Sequence, residues 1–256
     1  MRERTLAWDG CLNVRDLGGH PTEDGGETAF GAVVRADSIR RLSDDGWAAL
    51  VDYGVRTVVD LRQHSELEAD PPRELPVDVV HVPLFGSPDP DAAYWAEMDA
   101  LADAASGLAA GKAAIYLDHL ERFRLFVRDA IEAVARAPEG AVLVHCQVGK
   151  DRTGLVTALL LRLAAVSHDE IASDYAASEE YLRPATEAYI ASAADEADRA
   201  FRLRLTATPA EAMRDVLTTL EERYGSVAGY LRAAGLAEPD VARAAARLRT
   251  NGAGPA

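Results

Sequence analysis

The chain predicts an α/β architecture whose C-terminal third is helical. Three observations carry this: short β-branched runs at 55–61, 77–83 and 141–145, helical stripes between them, and an almost unbroken helical pattern after residue 168. No repeat, low-complexity block or Pro/Ser-rich linker divides the 256 residues, so they are read as one domain, 1–256. A chain of this length buries roughly three-quarters of its unfolded surface, and its core needs no disulfide or metal to hold it.

Taken in order, Ser43 opens the first clear helix with Asp44 and Asp45 in its first turn, and Gly54 closes it just before the strand at 55–61. The runs 55–61, 77–83 and 141–145 lack polar alternation and read as strands of a largely buried sheet. Between 87 and 112, Tyr94, Trp95, Met98, Leu101, Ala105 and Leu108 fall at helical spacing and imply a helix packed on the core. Residues 117–137 carry a continuous apolar stripe, from Leu117 and Leu120 through Phe123, Leu125 and Phe126 to Val134, closed by Pro138. Helices follow at 153–165, 209–224, 226–234 and 239–248. Part of 178–205 is a further helix: Tyr181, Ala185 and Tyr189 share one face, and Pro184 suits a first turn.

Charge and cysteine usage narrow the function. There are 27 basic against 42 acidic residues, a net charge of −15. Such a field excludes nucleic acid and disfavours anionic membrane surfaces, and any acidic substrate has to be caught by a local cluster of donors. Cys11 and Cys146 cannot build a disulfide framework, and no Cys-x-x-Cys pair exists for zinc. The other five histidines, His20, His64, His81, His119 and His168, show no metal-ligand spacing. Residues 1–10 lack the apolar core of a secretory signal, and the longest apolar run, 154–166, is short and broken by Arg162. A reduced, cytoplasmic protein with no integral membrane segment is the expectation.

One segment stands apart: Val144-His145-Cys146-Gln147-Val148-Gly149-Lys150-Asp151-Arg152-Thr153-Gly154. A strand, a tight glycine-containing loop and a helix bring loop N–H groups and a helix N-terminus onto one anion. A nucleotide cradle would need Gly-Lys-Ser/Thr with a second glycine five residues earlier, where this chain has Val144. Instead a cysteine stands at the loop's entrance and an arginine at its exit, an arrangement suited to covalent phosphoryl transfer. The helix dipole and nearby cations would lower the Cys146 thiol pKa and supply a thiolate. Gln147, Val148, Gly149, Lys150, Asp151 and Arg152 would hold the phosphate, Arg152 with its planar fork on two equatorial oxygens. Thr153 is placed to hydrogen-bond the sulfur, and His145 and Gly154 support the loop.

Two carboxylates compete to protonate the leaving group. Asp151 sits inside the loop, and Asp60 ends a strand at the sheet edge where α/β proteins bind ligands. The competing roles are a solvated charge for Asp151 and a pair with Arg62 for Asp60. Asn13, Arg15 and Asp16 read as bracing, Arg35-Ala36-Asp37 as support for the sheet end, and Cys11 as inert.

The loop resembles that of the cysteine-dependent phosphatases, and its Gly149-Lys150-Asp151-Arg152-Thr153-Gly154 half is similar to the atypical bacterial tyrosine and lipid phosphatases. Asn13-Val14-Arg15-Asp16-Leu17-Gly18-Gly19, Val58-Val59-Asp60-Leu61-Arg62 and Tyr224-Gly225-Ser226-Val227-Ala228-Gly229-Tyr230-Leu231 resemble that family's motifs in its order, so nearly the whole chain is covered. The connection at 86–113 departs from the pattern. The resemblance implies a cysteine-phosphatase-like fold with a central, mostly parallel sheet flanked by helices. It also implies metal-free, cofactor-free hydrolysis of phosphotyrosine, phosphoserine/threonine and phosphoinositides, and a helical lid around 178–205. The rival class is a pseudophosphatase that binds phosphorylated partners without turnover. Sulfur transfer gives no reason for Arg152 followed by Thr153-Gly154. All but two of the 27 basic residues are arginine, the exceptions being Lys112 and Lys150. Lys150 is a compact charge able to reach a second phosphate, which points to phosphoinositides alongside phosphotyrosine proteins.

Overall fold

The computed structural model describes residues 3–69 and 76–249. The ends of the expected 1–256 domain, and residues 70–75, lie outside them. Among the described residues the sheet has five strands: β1 (Arg15–Asp16), β2 (Val33–Ala36), β3 (Val55–Asp60), β4 (Asp78–His81) and β5 (Ala141–His145), in the order β1-β2-β5-β3-β4. All pairings are parallel except β1 with β2. The mostly parallel sheet expected from the resemblance is present.

β5 sits at the centre because both of its faces are apolar. Val142 and Val144 join the larger core with Val59, Leu61 and the helices on that side, while Ala141 and Leu143 join Trp8, Trp47, Leu50 and Val58 on the other. Successive side chains of a strand point to opposite faces, so an unbroken apolar run is what a doubly covered strand requires. The run at 77–83 differs. β4 is an edge strand, and Val79 and Val80 are 43% and 39% exposed, so only part of that run is buried. β1 and β2 escape pattern reading because they are short and carry Arg15, Asp16 and Arg35 inside the protein, where apolar residues would be expected.

The first helix, α1 (Asp44–Asp52), is capped as its sequence implies: the Ser43 side chain accepts from the Gly46 N–H at 3.1 Å. Gly54 then takes φ +98° before β3. After α2 (His64–Ala69) and β4, the 87–112 stretch divides into α3 (Ala92–Asp103) and the start of α4 (Leu108–Arg122). Tyr94 and Met98 are buried as expected, whereas Trp95 and Leu108 are exposed. The continuous helix read at 117–137 is two helices, α4 and α5 (Arg124–Arg136). The chain turns at Phe123 (φ −107°, ψ 22°), whose ring enters an aromatic cluster with Phe85 and Tyr94. Phe123 fits the apolar stripe either way, so the stripe alone cannot show the break.

α6 (Asp151–Leu163) follows β5 directly and is buried from Thr153 to Leu161, as a helix apolar all round must be. α7 (His168–Ala191) and α8 (Glu196–Thr206) come next. Pro184 lies deep inside the 24-residue α7, not in a first turn; it is exposed, so the N–H it lacks leaves a carbonyl that water can reach. Beyond Leu182 α7 buries no further residue, and among the described residues none of α8 is buried. α9 (Ala210–Tyr224), α10 (Val227–Ala233) and α11 (Glu238–Leu248) complete the helical C-terminal third.

Candidate active site

The loop from Cys146 to Lys150 lies at the C-terminal end of β5, and α6 starts at Asp151. Its shape depends on Gly149, which takes φ +70°. A Cβ there would lie 2.4 Å from the Ala36 carbonyl oxygen and 2.5 Å from the Asp37 nitrogen, so the backbone passes too close to β2 for any side chain. The turn sends the Gly149 N–H to the Cys146 sulfur at 3.3 Å. It also turns the Gly149 carbonyl inward, where Arg35 (2.9 Å) and the Asn13 amide (3.0 Å) both donate to it.

Those two residues belong to a buried ionic cluster. Asp174 of α7 accepts from Arg35 on one oxygen (2.5 Å) and from Arg15 on the other (3.1 Å), and Arg15 also donates to the Asn13 side chain. Burial works to raise the Asp174 pKa, but the two guanidinium groups outweigh it and hold the carboxylate far below its usual range. Bracing by Asn13 and Arg15, and support by Arg35, therefore takes a definite form: β1 and β2 carry guanidinium groups that tie the loop to α7. Asp16 caps the same region, accepting the Gly18 (2.6 Å) and Gly31 (2.7 Å) N–H groups.

Arg152, the second residue of α6, is gripped by Glu66. Its NH2 lies 2.6 Å from Glu66 Oε1, its NH1 bonds the other oxygen, and its guanidinium stands over the Phe85 ring. The Glu66 carboxylate in turn accepts the Gln63 N–H at 2.7 Å. Burial favours the neutral form of Arg152, yet Glu66, together with Cys146 and Asp151, more than offsets it and the guanidinium is held charged.

Asp151 lies at the helix start with its side chain 33% exposed. One oxygen accepts from the Tyr116 hydroxyl at 2.5 Å and lies 3.8 Å from Lys112 Nζ; the other is 3.5 Å from Lys150 Nζ. Tyr116 is linked on to Tyr175 at 2.8 Å. Desolvation raises the Asp151 pKa, but Lys150, Lys112, the Tyr116 hydroxyl and Arg152 bring it down to about 2. Asp60 is differently engaged. Its two oxygens take the Arg62 side chain at 2.8–3.1 Å and the Arg62 N–H at 3.0 Å, and His145 Nε2 is 3.6 Å away. Desolvation is again outweighed, here by His145 and Arg62, leaving Asp60 at about 2. The pairing of Asp60 with Arg62 weighed from the sequence is the arrangement found. His145 is fully buried, its pKa lowered by desolvation, and its Nδ1 bonds the Cys146 carbonyl at 3.1 Å.

Other expected roles need adjusting. The sulfur's donor is the Gly149 N–H; the buried Thr153 hydroxyl has no hydrogen-bond partner among the described residues. Gly154 packs on Tyr175, whose ring carbon would be 3.0 Å from an added Cβ. Lys150, read as a mobile charge, is only 5% exposed and donates to the Leu205 carbonyl at 2.6 Å. Val148 is exposed and the Gln147 side-chain oxygen buried without a partner among the described residues. Among the described residues no three His, Cys, Asp or Glu side chains are grouped as metal ligands.

Glu66, Tyr116, Asp174 and Lys112 were not singled out as site residues from the sequence. For Lys112 a signal existed, since it is one of two lysines in an arginine-rich chain. The others have no local signature.

The sequence has counterparts among known proteins. A profile described as the tyrosine phosphatase family matches residues 6–250. The chain belongs to the tyrosine phosphatase family. It is 31% identical over 236 residues to a tyrosine-protein phosphatase of Nostoc commune, covering 85% of this chain and 74% of that one. It is 29% identical over 276 residues to the triple specificity protein phosphatase PtpB of Mycobacterium tuberculosis, covering 95% and 97%. The expected class, a tyrosine phosphatase hydrolase, and the α/β fold both stand. No helix among the described residues is long and apolar enough to cross a membrane.

Proposed function

We propose that this phosphatase hydrolyses phosphate monoesters through a cysteinyl-phosphate intermediate on Cys146. The observation that carries the reading is the convergence on one loop of a thiol, an N–H aimed at its sulfur and an arginine fixed by Glu66. The thiolate attacks phosphorus while the bond to the leaving oxygen breaks, and Arg152 with the amides of residues 147–152 stabilises the equatorial oxygens. Asp151 gives its proton to the leaving oxygen. Water then attacks phosphorus, Asp151 takes the water's proton, and breaking the S–P bond releases phosphate and restores the thiolate. Asp151 starts with its pKa near 2, and an arriving phosphate dianion raises it by placing negative charge beside the carboxylate. Asp60 we assign to positioning Arg62 and His145, because both of its oxygens are already engaged.

The substrates we infer are phosphorylated proteins carrying phosphotyrosine or phosphoserine/threonine, together with phosphoinositides. The triple specificity of the Mycobacterium relative and the lysine within the loop support this breadth. The outer half of α7 and α8 act as a lid, a role supported by their small buried area and by the bond from Lys150 to the end of α8. Action in the cytoplasm fits two free cysteines, one of them the proposed nucleophile. Hydrolysis of a chromogenic aryl phosphate tests the reading: turnover should persist in EDTA and stop with orthovanadate. Phosphopeptide binding without turnover would instead identify a pseudophosphatase.

A further inference from the structure

A cavity of about 670 Å³ opens between α3, the start of α4, α7 and the end of α8, and no residue from Cys146 to Arg152 lines it. Leu108, Ile115, Ile190 and Phe201 give it apolar walls. Three of the large side chains around it, Leu108, Phe201 and Leu205, are nevertheless 46%, 39% and 47% exposed. Exposed apolar surface gathered about one concavity marks a place that a ligand covers. The charge around the cavity says which ligand. Asp99, Asp103 and Glu179 line it, against Lys112 and Arg204. Lys112 is engaged elsewhere: its ammonium donates to the Leu205 carbonyl at 3.2 Å and lies 3.8 Å from Asp151. Neither the three carboxylates nor Arg204 has an ion-pair partner among the described residues, so negative charge is in excess. Two of the acids also strain the helix that carries them. Asp99 and Asp103 stand four residues apart at the C-terminal end of α3, whose last turn holds no basic residue. Like charges at that spacing repel, and the carbonyls that end a helix add to the negative potential. A cation held there relieves both.

We propose that this cavity binds a small organic amine, with an aromatic or alkyl body among Leu108, Ile115, Ile190 and Phe201 and an ammonium group at Asp99 and Asp103. Its volume falls within the range of small-molecule sites, about 300–1,000 Å³. An anionic ligand of the same shape meets the same carboxylates and is rejected. The site does not depend on the phosphatase reading, because it shares no residue with the loop. Occupancy reaches the loop indirectly. A body packed on Phe201 and Leu205 holds the end of α8 against α4, and so keeps the Leu205 carbonyl on Lys112 and Lys150. The amine is a regulator that favours the closed arrangement, not a substrate.

Calorimetric titration of the full chain with three compounds of nearly one shape tests this without requiring turnover: 2-(1-naphthyl)ethylamine, 2-(1-naphthyl)ethanol and 1-naphthylacetate. The amine should bind best, the alcohol roughly tenfold more weakly for want of the charge contact, and the carboxylate weakest of all. Asp99→Asn/Asp103→Asn should bring the amine down to the level of the alcohol and leave the alcohol unchanged. Leu108→Ser should weaken both alike. These positions are exposed, so the variants keep the fold. Asp52→Asn/Asp215→Asn removes two exposed acids outside the cavity and should change neither affinity, which separates a site from the pull of a chain at −15. Amide hydrogen exchange at 203–207 should slow when the amine is bound. No saturable binding of the amine at millimolar concentration, equal affinity for amine and carboxylate, or equal losses in the two double variants overturns the site. Unchanged exchange at 203–207 with the amine bound overturns its hold on α8.

Discussion

Glu66 receives both terminal nitrogens of Arg152, with NH2 at 2.6 Å, across a separation of 86 residues. A bidentate carboxylate fixes the plane of a guanidinium as well as its position. The fork is thus set before any phosphate arrives, and α2, a short helix at the sheet edge, is tied to phosphate binding. Glu66→Gln keeps the shape and loses the charge. We expect a rise in KM and a fall in kcat of roughly tenfold each on an aryl phosphate, from a less ordered arginine. Wild-type steady-state kinetics in this variant would show that Arg152 orients itself.

Asp151→Asn should lower turnover of phosphoserine peptides by about 10²–10⁴ and that of nitrophenyl phosphate much less, because only the poorer leaving group needs the proton. Equal losses on the two substrates would mean that Asp151 organises the loop instead.

Tyr116→Phe removes a donor to the ionised Asp151. The carboxyl pKa should rise from about 2, and since Asp151 must hold a proton to give to the leaving oxygen, the alkaline limb of the kcat profile on a phosphoserine peptide should move toward higher pH. A profile that does not move would leave the two lysines as the groups that set Asp151.

Asp174→Asn breaks a buried pair that holds two guanidinium groups. Removing one partner of such a pair costs about 3–5 kcal/mol at neutral pH. The folded pKa is depressed, so the carboxylate's contribution is complete above its unfolded value near 4 and is lost as pH falls below it. Denaturant melts should therefore show the gap between wild type and Asp174→Asn closing as the pH drops below about 4. A gap that is constant across pH would contradict the charge assignment.

Much of this arrangement is legible in the chain before folding. Unbroken apolarity over 141–145 marks a strand covered on both faces, and Ser43 and Gly54 mark the ends of α1. The His145-to-Gly154 segment announces its chemistry because its loop, cysteine and arginine are contiguous. What was missed has one cause. Glu66 lies 86 residues from Arg152, and Asp174 lies 139 from Arg35; such pairs are made by topology, and local spacing carries no trace of them. β1 and β2 were hidden for the same reason, since their arginines are tolerable inside only because α7 brings Asp174 to meet them. Lys150 illustrates the converse. Its composition signal was sound, but its burial beneath the end of α8 depends on a helix 55 residues further along the chain.

The role of Cys146 is tested most directly by mass spectrometry of rapidly quenched Asp151→Asn protein turning over nitrophenyl phosphate. A phosphoryl group should appear on the Cys146 peptide, should be absent from Cys146→Ser, and should be unaffected by Cys11→Ser, whose thiol burial pushes up out of the reactive range. Steady turnover by Cys146→Ser, or turnover of Asp151→Asn with no phosphate ever found on Cys146, would contradict the covalent mechanism.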